Sequence, residues 1–199
     1  MKAIALLFAA TFTLFAAGPD VPKSKMLGNP AAPLRLELYS DFTCPHCKHL
    51  HEEILPLIVR DFVNPGKGYV VFHDYTLTGP GHQYSRNAAA YAAAAAQVGK
   101  YMAASDALFR MQQSWALTGQ IWPVISSSFT PDEQKKIQAL VNTPKVLQEV
   151  QDDVDAGNMI PITQTPTMVV VYKGKKQPWT MWNSYPLFKN YLDSLLTSR

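Results

Sequence analysis

Residues 79–158 of this 199-residue chain carry helical signals only, and they separate two groups of strand-forming segments. On the near side, "PLRLELYS" (33–40) alternates Leu34, Leu36 and Leu38 against Arg35, Glu37 and Tyr39, the period of a strand. A helix follows at once. Leu50, Ile54, Leu57, Ile58 and Phe62 fall on one of its faces, and Pro56 sits inside it, where a kink is expected. "YVVFHDYTL" (69–77) is a second strand by its β-branched and aromatic content. On the far side, "PTMVVVYKG" and "KQPWTMW" are strands joined by a basic turn, and Tyr185 to Leu196 forms a last helix that presents Phe188, Leu192, Leu195 and Leu196. Within the helical block, Gly99 marks a break. Thr130, Pro131 and Glu133 form a capping box with proline at the first helical position, and Thr143-Pro144 repeats that start. The order is strand, helix, strand, helical block, strand, strand, helix. The first strand–helix–strand is expected to be a right-handed parallel unit and the last two strands an antiparallel pair.

The first residues, "MKAIALLFAATFTLFAAGPD", place Lys2 before an uncharged apolar run from Ala3 to Ala17, the layout of a secretory signal peptide ending near Ala17 or Gly18. The run is shorter than the roughly 20 residues of a spanning helix, with an uncleaved anchor as the alternative. The remaining residues, 18–199, suit one domain or one domain with an insertion, and are enough to bury a core without covalent staples. The formal net charge is only +3 and the basic residues are scattered apart from Lys173 to Lys176, read here as a solvated hairpin turn, so a nucleic-acid surface is not indicated.

Both cysteines of the chain, Cys44 and Cys47, lie in "DFTCPHCKHLH" (41–51) beside three of its five histidines. Disulfides persist in exported proteins, but a bridge across two residues closes almost no loop and contributes little as a staple. A metal site could draw on Cys44, Cys47, His49 and His51. At about 100° per residue, however, the two histidines point roughly 200° apart on a helix, and both are expected to be exposed. A haem attachment would need histidine directly after Cys47, where Lys48 stands. The redox reading fits the placement. Cys44 falls just past a strand at a helix start, with Pro45 suited to the first turn, and the unpaired N–H groups there favour a thiolate. His46 adds a possible hydrogen bond or positive charge. A pKa lowered by about four units corresponds to about 5.4 kcal/mol, roughly 115 mV in a two-electron couple, which turns such a pair from reductant to oxidant. His73, on a strand, is read as a packing residue.

A second signal is "QTPT" (164–167), at the entrance of "MVVVY". A trans proline is allowed at a strand entrance. A cis bond at Thr165-Pro166 would need a reason, and a backbone edge held beside the sulfurs to receive an extended substrate would be one.

On "YSDFTCPHC", "GHQYSRNAAAYAAAAA", "GKYMAASDALF" and "TQTPTMVVVYKG", the chain resembles the DsbA-like family of disulfide oxidoreductases. The resemblance implies an α/β thioredoxin fold with an inserted α-helical subdomain at about 79–158. It implies a Cys44–Cys47 redox pair tuned by Pro45 and His46, with Thr165 and Pro166 seating the substrate backbone and no cofactor or metal. It also implies a monomer in the periplasm that transfers its disulfide to unfolded or partly folded exported proteins with free thiols and is recharged by a membrane quinone-linked oxidase. Within the same resemblance, Thr165 is as close to isomerases and reductases. A thiol-based metal-binding protein is the non-enzymatic alternative. One departure stands out. The family carries a buried acid six positions before its first active-site cysteine, and Leu38 occupies that position here.

Overall fold

A computed structural model describes residues 21–182 and 184–198; the expected signal peptide, residues 1–17, lies outside the described residues. The sheet is mixed. β1 (Met26–Leu27), β2 (Leu34–Ser40), β3 (Gly68–Asp74), β4 (Thr167–Tyr172) and β5 (Lys175–Trp179) lie in the order β1-β3-β2-β4-β5. β2 pairs parallel with β3 and antiparallel with β4, and the β4–β5 pair is antiparallel, as the segment order predicts. That hairpin turns at Lys173 and Gly174, both at positive φ (47° and 76°), which matches the right-handed twist of its strands. β1 lies within residues 18–32, whose prolines, glycines and small residues suggest only an extended arm; two residues are too few for alternation to show.

The alternation of Leu34, Leu36 and Leu38 identifies the core face of β2, and all three are buried. The opposite face is covered too, and Glu37 and Tyr39 are equally buried. The cover is the helix Pro144–Asn158, which comes close enough that a Cβ at Gly157 would collide with the Tyr75 ring. A strand between two layers keeps its period in sequence while losing its exposed face.

All helices between β3 and β4 fall within 85–158, from Ser85–Gln97 to Pro144–Asn158, with the break at Gly99 (φ 74°) and both Thr-Pro starts capped as expected. In the helix Ser85–Gln97 the alanines at 88–90 and 92–96 are buried, small enough to let neighbouring helices close on it. The helix after β2 runs from Pro45 to Val63 and takes Pro56 by widening: π turns at Leu50–Ile54 and Val59–Val63 flank the α turn Leu55–Ile58. Pro56 has no N–H to donate, and a turn shifted to i→i−5, with Leu55 N–H donating to the Leu50 carbonyl, relieves the ladder just ahead of it.

Candidate active site

Cys44 is the N-cap of the helix that follows β2, with extended backbone (φ −77°, ψ 122°) and Pro45 at the first helical position. Its carbonyl accepts from the N–H groups of Cys47 and Lys48, each at 3.1 Å, and so closes the first turn. Both sulfurs are thiols in this structure; Cys44 is 6% exposed and Cys47 fully buried. The Thr165–Pro166 bond is cis, and Cys44 Sγ lies 3.5 Å from the Thr165 carbonyl, where it donates as a thiol. The two sequence signals, 121 positions apart, thus meet at one sulfur.

The electrostatics separate the two cysteines. The Cys47 thiol donates to Cys44 and, against the opposing effect of burial, brings its pKa down to about 5; the Thr165 side chain and the backbone N–H groups of Cys47 and His46 act the same way. Among the described residues Thr165 Oγ1 is buried without a hydrogen-bond partner, so its hydroxyl can turn toward the sulfur as it ionises. The His46 ring itself is exposed; its backbone N–H is what reaches the sulfur. Burial, then the bond it donates to Cys44, pushes the Cys47 thiol well up. The Ser40 hydroxyl and the Asp41 N–H, 3.3 Å away, are the groups that meet the Cys47 sulfur. Leu38 is packed in the apolar core, where it brings no charge beneath the pair.

Thr165→Val keeps the shape of the side chain and removes the hydroxyl. We expect the Cys44 pKa to rise by about half a unit to one unit, the effect of one hydrogen bond to the charged form, read from the ultraviolet absorbance of the thiolate during a pH titration.

One expectation fails at His51. It is buried, not exposed: its Nε2 lies 2.7 Å from Asp106 Oδ1 and its ring packs on Phe109, 4.7 Å between centroids. A partner 55 positions away on the helix Tyr101–Arg110 turned an apparently solvated residue inward. His49 is exposed as expected, and among the described residues no three His, Cys, Asp or Glu side chains gather as a metal site. His73 is the packing residue expected, stacked on Tyr39 at 4.5 Å and bonded to Asp153.

Several residues of the site gave no local signal. Asp41 is buried, and its carboxylate accepts from Thr43 N–H and hydroxyl, Leu77 N–H and Ser85 hydroxyl, pinning the turn before Cys44 to the loop after β3. Lys48 donates to the Phe109 carbonyl at 2.7 Å, at the end of an inserted helix. Gln112 donates to the Phe42 and Cys44 carbonyls. Trp182 donates to the Pro166 carbonyl at 2.9 Å and, with His46, His49, Gln164, Thr165 and Pro166, lines a cavity of about 560 Å³ between the helix start and the cis-proline loop. Long-range partners such as these leave no periodicity to read.

A family model described as Thioredoxin matches residues 20–181. Disulfide bond formation protein D of Bacillus subtilis (strain 168) is 24% identical over 161 residues, 76% of this chain and 69% of that protein. The Na(+)/H(+) antiporter NhaA 1 of Mycolicibacterium gilvum (strain PYR-GCK) is 29% identical over 160 residues, and the chain spans only 25% of its length. Among solved structures, oxidised BdbD from Bacillus subtilis aligns with a TM-score of 0.70 at 24% identity, covering 91% of this chain and 97% of that one. The α-DsbA1 of Wolbachia pipientis aligns with a TM-score of 0.69 at 22% identity, covering 86% and 89%.

Proposed function

The chain belongs to the thioredoxin family of thiol:disulfide oxidoreductases and has the fold of its DsbA-like members, and on that premise we propose that it is an exported oxidase, transferring the Cys44–Cys47 disulfide to unfolded or partly folded proteins with free thiols. Residues 1–17 are its signal peptide, 18–199 its periplasmic domain and about 79–158 the insertion. A membrane quinone-linked oxidase restores the disulfide. The observation that carries this reading is the asymmetry of the pair: an ionisable sulfur at a helix start beside the Thr165 carbonyl, and a buried partner whose thiol is pushed up.

The steps follow from that asymmetry. A substrate thiolate attacks Cys44 Sγ, the S–S bond breaks, and Cys47 leaves as a thiolate that takes up a proton because burial disfavours its charge. A second substrate thiolate attacks the substrate sulfur of the mixed disulfide. Cys44 leaves as a thiolate that needs no proton at neutral pH, since its pKa lies at about 5. The substrate has lost two electrons and the protons of two thiols; the protein holds the electrons, one proton on Cys47 and a thiolate on Cys44, and the second proton has gone to solvent. Thr165 and Pro166 seat the substrate backbone, and Pro45 and His46 tune the pair.

The potential measured against pH tests this. Reduction consumes two protons below the Cys44 pKa and one above it, so the potential falls by about 59 mV per pH unit at low pH and about 30 mV per unit beyond. We expect the break near pH 5, with Cys47 protonated on both sides of it. At pH 7 the low Cys44 pKa raises the potential by at most about 60 mV, since only the interval between 5 and 7 counts, and solvent at the groove screens part of this. The potential at pH 7 should therefore lie up to about 60 mV above that of an otherwise equal pair without the low pKa, on the oxidising side of the roughly −270 mV of thioredoxin. A value close to the −270 mV or so of thioredoxin, with no break near pH 5, would replace the oxidase reading by a reductase one.

A further inference from the structure

We propose that Gln112 is a positioning residue for disulfide exchange: its buried side-chain amide ties the inserted helices to the two carbonyls that bracket the reactive turn, and so sets how readily Cys44 ionises. The inference rests on Cys44 as the attacked sulfur and extends its control to a residue 68 positions away. Gln112 follows the break at Met111, between the helices Tyr101–Arg110 and Gln112–Trp115, and is 4% exposed. Its Nε2 lies 2.7 Å from the Phe42 carbonyl oxygen and 3.0 Å from that of Cys44. Carbonyls only accept, so chemistry fixes the orientation of this amide, and both of its N–H bonds go to the active-site turn.

The Cys44 carbonyl also anchors the first helical turn, accepting from Cys47 and Lys48 N–H. That turn aims the N–H groups of His46 and Cys47 at the sulfur. Without the amide, two buried carbonyl dipoles next to an ionising sulfur lose a donor, and the Phe42 oxygen becomes an unpaired buried acceptor. The turn can relax only by moving the Cys44 carbonyl, and the N–H groups tied to it move too. Both changes disfavour the thiolate.

Thiolate absorbance titrations of the reduced protein test the proposal in wild type, Gln112→Met, Gln112→Glu, Gln112→Asn and Gln113→Met. Gln112→Met keeps length and loses the donor; it should raise the Cys44 pKa by about one unit, a tenfold smaller thiolate-to-thiol ratio at a given pH. Gln112→Glu puts an acceptor and a charge in the same shape and should raise it further. Gln112→Asn, a donor of shorter reach, should fall between wild type and Gln112→Met, and the exposed neighbour in Gln113→Met should leave the titration unchanged. Near-ultraviolet circular dichroism identifies the folded variants, and any one folded Gln112 variant decides. A wild-type protein titrating in the ordinary thiol range removes the proposed function itself. A wild-type protein titrating low, with Gln112→Met or Gln112→Glu indistinguishable from it, overturns the role of Gln112 alone.

Discussion

Replacing Cys44 by serine will lower disulfide transfer to a reduced substrate by at least about a thousandfold, because a hydroxyl can neither form the disulfide nor enter a mixed one. Cys47→Ser will behave differently. The Cys44 sulfur keeps the Thr165 side chain and the N–H groups of the helix start that favour its thiolate, and the introduced hydroxyl still offers a donor in place of the Cys47 thiol. This variant can therefore attack a disulfide and form the mixed species, but no second sulfur resolves it. Incubated with an oxidised test peptide, Cys47→Ser should accumulate a covalent adduct on a non-reducing gel, and wild type should not. The asymmetry is the informative part. If Cys44→Ser were the variant that trapped the adduct, the attacking and resolving roles would be reversed, and the contact with Thr165 would belong to the resolving sulfur.

The helix-start chemistry was legible because it is local. Pro45 after Cys44 states where the helix begins, and a helix start states where the donors point. "QTPT" was legible as an anomaly, although its position beside Cys44 depends on β4 pairing with β2 in the register Tyr39↔Thr167. What escaped reading was set by partners far along the chain. His51 has Asp106, Lys48 has the Phe109 carbonyl, and Gln112 has the Phe42 carbonyl. All three tie the active-site helix or its preceding turn to the inserted segment 106–112. The resemblance predicts an insertion without saying which of its residues touch the catalytic turn. A glutamine in a polar stretch of helix looks the same in sequence whether it faces water or a buried carbonyl.

Lys25→Met will destabilise the protein by about 3–5 kcal/mol at pH 7, the range for removing one partner from a buried ion pair. Lys25, in the arm before β1, is 3% exposed; its ammonium lies 2.8 Å from Asp74 Oδ2 and bonds Asp153. Asp74 also accepts from the Tyr101 hydroxyl at 2.6 Å, and Asp153 meets His73 Nδ1 at 2.9 Å and the Asp74 N–H. Burial alone would push the Lys25 ammonium down; Asp153 and Asp74 reverse that and hold it above its ordinary value. Burial likewise opposes the Asp153 carboxylate, and Lys25 and then His73 hold it below the ordinary range. The wild-type contribution of Asp153 is therefore present above the unfolded carboxylate pKa and is lost as pH falls through the folded one. In Lys25→Met the sign inverts. Burial already holds Asp74 above the ordinary carboxylate range; without the cation Asp153 loses its main stabilising charge as well, two buried carboxylates face each other, and the variant recovers stability as pH falls. Urea melts should thus show a deficit that is largest near pH 7 and shrinks toward pH 4.5. Adding Asp153→Asn should restore part of it by removing one of the stranded charges. A deficit below about 1 kcal/mol at pH 7 would mean that the three groups do not act as a charged cluster. The cluster joins the segment before β1, β3 and the helix Pro144–Asn158, so it fixes the insertion against the sheet. The contacts from Asp106, Phe109 and Gln112 to the catalytic helix and turn depend on that placement, and loosening the cluster should raise the Cys44 pKa even though Lys25 touches nothing at the active site.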